Sequence, residues 1–380
     1  MVCYVKGYVK PHDTMPADGG MRMNGYFEEE KYWIWLASLG LGAKATYLAM
    51  RLCGSAAAFF DAVKCGSEAI EKLPSETLQL ARAGCSAQRA AEVLAELSSK
   101  GIDAITRLNP DYPARLAAIP WPPPVLFVKG RLSDMQRAIG IVGTRRCTRR
   151  GFEFTRRLAA ELDGMCVVSG LARGIDTAAH LGALDADAPT VAVLGCGADV
   201  IYPPENAELF HRISQNGAVV SELPLGTQPY LGHFPVRNRI IAGLSRGLLV
   251  VESEMKGGTA ITASLAVKYG RDMFAVPGLP TMSMGELPNS LIAAGAVPVS
   301  SAADVKTYYG EGVQSAEEEE ARPVMDLTQA KIYELLRRED LSAEGLAALS
   351  GLEPGELSIA LTMMELSGII RRLPGGKYGV

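Results

Sequence analysis

Three residues, Arg237-Asn238-Arg239, carry the most telling chemistry in this chain. They lie within Phe234-Pro235-Val236-Arg237-Asn238-Arg239-Ile240-Ile241-Ala242-Gly243-Leu244-Ser245, ahead of an apolar run at 248–251. A turn, Lys256-Gly257-Gly258-Thr259, follows, and then Phe274-Ala275-Val276-Pro277-Gly278. A guanidinium is a planar, permanently charged fork that matches phosphate oxygens. A glycine turn opening a helix adds backbone amides that suit an anion. No nucleophile or metal cluster stands beside them. The pattern therefore points to holding phosphates rather than breaking bonds, and to nucleic acid before metabolites.

Other crests of the same kind precede it. Ile141-Val142-Gly143-Thr144-Arg145-Arg146 leads towards a helix from Gly151, and seven arginines face three acids between 144 and 173, Arg173 among them. The full GxxxxGK[ST] and GxGxxG patterns are missing, so neither ATP nor a dinucleotide is indicated. Asp176 and His180 share one helix face at i, i+4; the pair reads more readily as a helix tie than as an acid–base couple. Cys196, between Gly195 and Gly197, reads as a packed small residue, with no histidine near it in sequence. Tyr202, Tyr230 and Phe234 offer rings for stacking unpaired bases, and core packing is the competing use for at least one of them.

The elements that must position these residues alternate. Apolar runs at 125–129, 138–142, 166–169, 190–194, 218–221, 248–251 and 273–276 predict strands, and helical periodicity fits 151–163, 175–184, 204–215, 235–244 and 260–269. Such alternation implies right-handed crossovers and a parallel sheet covered on both faces. All the crests follow strand ends, so a doubly wound sheet gathers them along its carboxyl edge.

Around this α/β domain, at 106–310, the reading places an N-terminal extension (1–27), an all-helical domain of SAM or helix-hairpin-helix type (28–105), an acidic linker (311–323) and a C-terminal domain (324–380). Residues 28–105 read as helices only, at 28–38, 43–53, 56–63 with Ser55 as cap, and 86–100. Their sparse basic residues favour protein contacts over DNA. Prolines 110, 113, 120, 122, 123 and 124 mark the joint. Residues 324–380 read as three helices and a hairpin, a winged-helix layout. Six Lys/Arg against eight Asp/Glu there, a balance of −2, argue against a helix that lies on DNA.

Composition sets the outer limits. A net charge of −4 means that any site for a polyanion is a local patch. Seven scattered cysteines without a CxxC pair suit a reducing compartment and no metal site. No apolar run reaches the roughly 18 residues of a membrane span, and 1–24 lack the apolar stretch of a signal peptide. Cytoplasm is the expected location, with no cofactor and no membrane partner.

Taken together, Gly140-Ile141-Val142-Gly143-Thr144-Arg145, Val168 to Asp176 with Ala179-His180, Val193 to Gly197, Tyr202-Pro203-Pro204-Glu205-Asn206, Phe234 to Ser245 and Phe274 to Gly278 closely resemble the DNA-processing protein A (DprA, or Smf) family. The likeness is dense over 105–305 and looser in the two end domains. It implies an extended Rossmann-like domain that binds single-stranded DNA, dimerises, protects incoming strands in natural transformation and helps load the RecA recombinase, without a catalytic reaction. Single-strand-binding protein is a further implied partner. The family's glycine–hydroxyl–arginine loop maps to Gly143, Thr144 and Arg145, and its groove to Arg237, Asn238, Arg239 and the turn at Lys256, Gly257, Gly258 and Thr259. This chain departs from the family pattern at Glu254, which weakens the groove's potential. The competing reading is a phosphoribohydrolase-like enzyme with Glu222 or Glu252 as acid or base. A transcription regulator acting through 324–380 is disfavoured by that domain's charge.

Overall fold

The computed structural model describes residues 29–310 and 326–379, apart from 87, 133–134, 337–338, 368 and 374. The expected 1–27 extension and 311–323 linker lie outside the described residues. The chain divides into two compact units, Met1–Val305 and Lys306–Val380.

The first unit opens with five helices, α1 (Glu30–Ser38), α2 (Ala43–Cys53), α3 (Ala56–Cys65), α4 (Ser75–Ala83) and α5 (Arg89–Ser99). Ser55 caps α3 as expected, accepting from the Ala58 N–H at 3.0 Å. Trp35, Phe59 and Phe60 fill the bundle's centre, with Trp35 edge-on to Phe60 at 4.9 Å. The chain then enters the sheet earlier than expected: Ile102–Thr106 is a strand, β1, in a stretch read as helical throughout. Five residues with alternating burial carry too little periodicity to stand out beside a 15-residue helical pattern.

Helix α6 (Ala114–Ala117) interrupts the proline-rich joint. The strands that follow are β2 (Val125–Gly130), β3 (Ala138–Val142), β4 (Cys166–Ser169), β5 (Thr190–Val193), β6 (Ala218–Ser221), β7 (Gly247–Val250), β8 (Asp272–Ala275) and β9 (Val297–Pro298). Between them run α7 (Arg149–Ala160), α8 (Ile175–Asp185), α9 (Ala207–Asn216), α10 (His233–Leu244), α11 (Gly258–Lys268) and α12 (Glu286–Ala293); α13 (Ala302–Tyr308) follows β9. Their order in the nine-stranded sheet is β1-β2-β6-β5-β4-β3-β7-β8-β9. From β6 to β9 every pairing is parallel, whereas β1 and β2 join antiparallel at one edge. The expected parallel sheet thus has an antiparallel margin.

Alternation along each strand sends side chains to opposite faces. Val191 and Val193 of β5, with Val220 of β6, pack under α10 and α11 through Ile240, Leu244 and Ala263. Ala192 and Val219 point the other way, towards Leu184 of α8 and Phe210 of α9. Both faces being covered explains why the strands read as continuous apolar runs. Ile34, Leu97, Phe127 and Ala198 weld the helical front to the sheet, aided by the Lys100–Asp199 ion pair at 2.7 Å.

The second unit has the expected layout. Helices α14 (Leu327–Leu336), α15 (Ala343–Ser350) and α16 (Pro354–Leu366) enclose Ile332, Leu346, Leu361 and Met364. The hairpin β11 (Arg371–Leu373) and β12 (Lys377–Gly379) is joined by a two-residue strand, β10 (Leu341–Ser342), in the order β10-β12-β11.

Candidate nucleic-acid interface

Successive crossovers run outward from β3 through β4, β5 and β6, and the chain then returns to lay β7 on the other side of β3. The carboxyl ends of β3 and β7 therefore flank a switch point, where doubly wound sheets leave a crevice. The crest after β3 is tied down at both ends. Thr144 N–H donates to the Glu252 carbonyl at 2.7 Å. The Glu252 carboxylate accepts from the Thr148 N–H at 2.7 Å and from its hydroxyl at 2.6 Å, while Thr148 Oγ1 caps α7 by accepting from Gly151 N–H at 2.9 Å. Arg145 and Arg146 ride on this braced loop, both exposed.

The crevice encloses about 650 Å³. Of the expected residues, Gly143, Thr144, Arg145, Phe234, Arg237, Asn238, Lys256, Gly257, Gly258 and Thr259 all line it. Gly257, at φ 148°, adopts a backbone conformation that side chains resist, and it lets the chain turn directly into α11. Gly258 and Thr259 bring the start of that helix into the groove lining, where first-turn amides have no intrahelical partners. Asn238 fixes the turn by donating Nδ2–H to the Gly258 carbonyl at 3.2 Å. The Arg145 guanidinium lies 5.3 Å from the Phe234 ring centre, and Tyr202 packs on that ring at 5.6 Å. Together they form a cationic edge with an aromatic floor.

Four of the expected residues are engaged elsewhere or stand outside the groove. Arg239 is absent from the lining: its fork holds both oxygens of Glu222, at 3.0 and 2.6 Å, with both side chains nearly buried. Arg173 pairs with Glu205 on the surface and lines a small neighbouring pocket that also includes Tyr202, Phe234 and Arg237. Tyr230 is 66% exposed outside the groove, edge-on to His233. Arg237 touches the groove but is 5% exposed, and its Nη1 donates to the Gly170 carbonyl at 2.7 Å and to the Val193 carbonyl. A Cβ at Gly170 would press on this guanidinium, which would have to shift to admit it.

Behind Arg237 lie Asp176 and His180, both buried and not bonded to each other. Burial raises the Asp176 pKa against the opposing charge of Arg237. Burial also pushes the Cys196 thiol up to about 11, and its S–H donates to the Val200 carbonyl, so it packs as expected. The two glutamates considered as acid or base are held in place, Glu222 by Arg239 and Glu252 by Thr148. Among the described residues no group of His, Cys, Asp and Glu has metal-site geometry, and no helix is long and apolar enough to cross a membrane.

Sequence reasoning passed over Arg146, which joins the lining beside Arg145, together with the apolar Leu231, Ile261 and Met284. Its adjacency to Arg145 was the available signal. The exposed cations of the groove are thus Arg145, Arg146 and Lys256, opposed at the rim by Glu254.

Residues 103–310 match the family described as DNA recombination-mediator protein A, and 316–376 match the DprA winged helix domain. Protein Smf of Synechocystis is 36% identical over 331 residues, 76% of this chain and 82% of the relative. DNA processing protein DprA of Streptococcus pneumoniae is 42% identical over 200 residues, 52% of this chain and 71% of the relative. The X-ray structure of the Streptococcus pneumoniae protein superposes with a TM-score of 0.61 at 33% identity, covering 73% of this chain and 97% of that one. A structure of DNA processing protein A from Helicobacter pylori, described for its single-stranded DNA binding mode, gives 0.50 at 29% identity, covering 55% and 95%.

Proposed function

The chain belongs to the DNA recombination-mediator protein A family, and from that membership we propose that its crevice binds single-stranded DNA. In this reading the protein is a non-catalytic mediator. It works in the cytoplasm as a homodimer, protects incoming single strands, meets single-strand-binding protein on them and helps load the RecA recombinase. One observation carries the choice of ligand: Arg145, Arg146, Lys256 and the α11 amides converge on one groove beside the Phe234 ring. A flexible strand can present both phosphates and ring faces to such a surface, and neither contact reads sequence.

Binding is therefore expected to tolerate sequence, to prefer single strands over duplex and to weaken steeply with salt. Replacing Arg145 and Lys256 together by alanine should lower oligo-dT affinity by about a hundredfold, roughly tenfold per lost charge-assisted contact. The log–log salt slope should fall by about 0.7 per lost phosphate contact. Filter binding of oligo-dT and duplex at two salt concentrations measures both. Unchanged affinity in the double variant would remove the groove assignment.

A further inference from the structure

We propose that a second pocket, between the helical front and the proline-rich joint, is an additional site for single-stranded DNA. It encloses about 240 Å³ and shares no lining residue with the crevice. Lys44, Tyr47 and Arg51 recur at i, i+3 and i+7, so α2 presents them on one face. Opposite stand Trp121 and Arg107 of the joint, with Trp33 and two prolines completing the wall.

The chemistry of this wall is specific. Tyr47 is 49% exposed and Trp121 40%, although large rings are usually covered. The Lys44 ammonium stands 6.0 Å from the Trp121 ring centre. Lys44, Arg51 and Arg107 are exposed, and among the described residues no acid lines the pocket. Exposed rings flanked by cations without a counter-charge match a ligand made of π-faces and anions. A nucleobase against Trp121 and Tyr47, with its phosphates on Arg51 and Arg107, satisfies both halves. A proline-rich peptide would use the rings but leave three cations facing nothing.

The helical front, whose few basic residues suggested protein contacts, thus gains a nucleic-acid role because its sparse cations are gathered rather than scattered. The choice of polymer rests on the function proposed above, but the two sites can fail separately. A strand held at both would bind more tightly than at either, through the raised effective concentration of its second segment.

The test titrates the full chain with dTMP, with oligo-dT of about six nucleotides and with oligo-dT of about thirty, the latter long enough for two sites. Two variants of exposed residues are compared, Tyr47→Ala/Trp121→Ala and Arg51→Glu/Arg107→Glu, beside Arg145→Ala/Lys256→Ala. Both pocket variants should lose about tenfold or more for the long oligomer, the scale of one lost base stack, and bind the short one within about twofold. The groove variant should retain long-oligomer binding that disappears when the pocket substitutions are added. Long-oligomer affinity unchanged in both pocket variants would overturn the proposal while leaving the groove untouched. So would quenching of tryptophan emission by dTMP without any effect of the variants on oligomers, which marks a free-nucleotide pocket. Loss in the pocket variants alone, with the groove variant unaffected, would support this site and remove the other.

Discussion

Arg237→Ala is expected to destabilise the fold by about 3–5 kcal/mol, the cost of stripping one partner from a buried charged network. The side chain is 5% exposed, and its guanidinium holds two carbonyls at the carboxyl edge of the sheet, those of Gly170 and Val193. It is also the compensating charge for Asp176, whose carboxyl is itself buried. Burial lowers the pKa of Arg237 to about 10, with Asp176 pulling the other way and Arg145 adding repulsion, so it stays charged at neutral pH. Alanine would leave two carbonyls and a nearly buried carboxyl group without this partner at the floor of the groove. Arg145→Ala, on an exposed crest, should shift stability by no more than about 0.5 kcal/mol. Urea melts without DNA separate the two. A melt of Arg237→Ala that overlays the wild type would refute this role for the side chain. Binding assays on that variant are interpretable only beside such a melt.

This contrast between two arginines marks where the sequence stops being informative. The β/α alternation and the crests at Gly143, Arg145 and Lys256 were legible, because a parallel sheet must bring the ends of its strands to one edge whatever the details. Apolar runs such as Val219-Val220 and Leu248-Leu249 disclosed strands buried on both faces. What could not be read was which guanidinium is spoken for. Arg239 is claimed by Glu222, 17 residues earlier, and Arg237 by Gly170, 67 residues earlier. Neither separation leaves a local pattern. Asn238, between them, is tied to Gly258, 20 residues on, in a turn already marked as special. The short strand β1 escaped for a related reason: its pairing partner is a strand beyond the proline-rich joint, and its own five residues do not declare it. The aromatic–cationic pocket escaped because Lys44 and Trp121 meet only in the fold.

Acidification from pH 7 to about 4 should cost the fold about 3 kcal/mol through His180 alone. Thr190 donates its only hydroxyl proton to the Val167 carbonyl at 2.8 Å, so the contact at 2.7 Å must be His180 Nδ1–H donating to Thr190 Oγ1. Nε2 is then a bare lone pair, buried without a hydrogen-bond partner among the described residues. Burial first, and the charge of Arg237 second, lower the His180 pKa to about 3. The unfolded chain protonates this imidazole near 6.5. Between those values the unfolded state holds one more proton than the native state, so stability is full above about 6.5 and falls by about 1.4 kcal/mol per unit as pH drops. Asp176 opposes the trend: its raised native pKa lets the folded state take up a proton before the unfolded state does, which favours folding in acid. A difference measurement isolates the histidine. His180→Asn retains a donor near the Nδ1 position and removes the titration, so its urea midpoint should fall less steeply with pH than that of the wild type, whatever its stability at pH 7. Below about pH 6.5 the difference between the two curves should shift steadily in the variant's favour. Parallel curves from pH 7 to 4 would mean that the native site accepts the proton, and that the Nε2 lone pair is open to water.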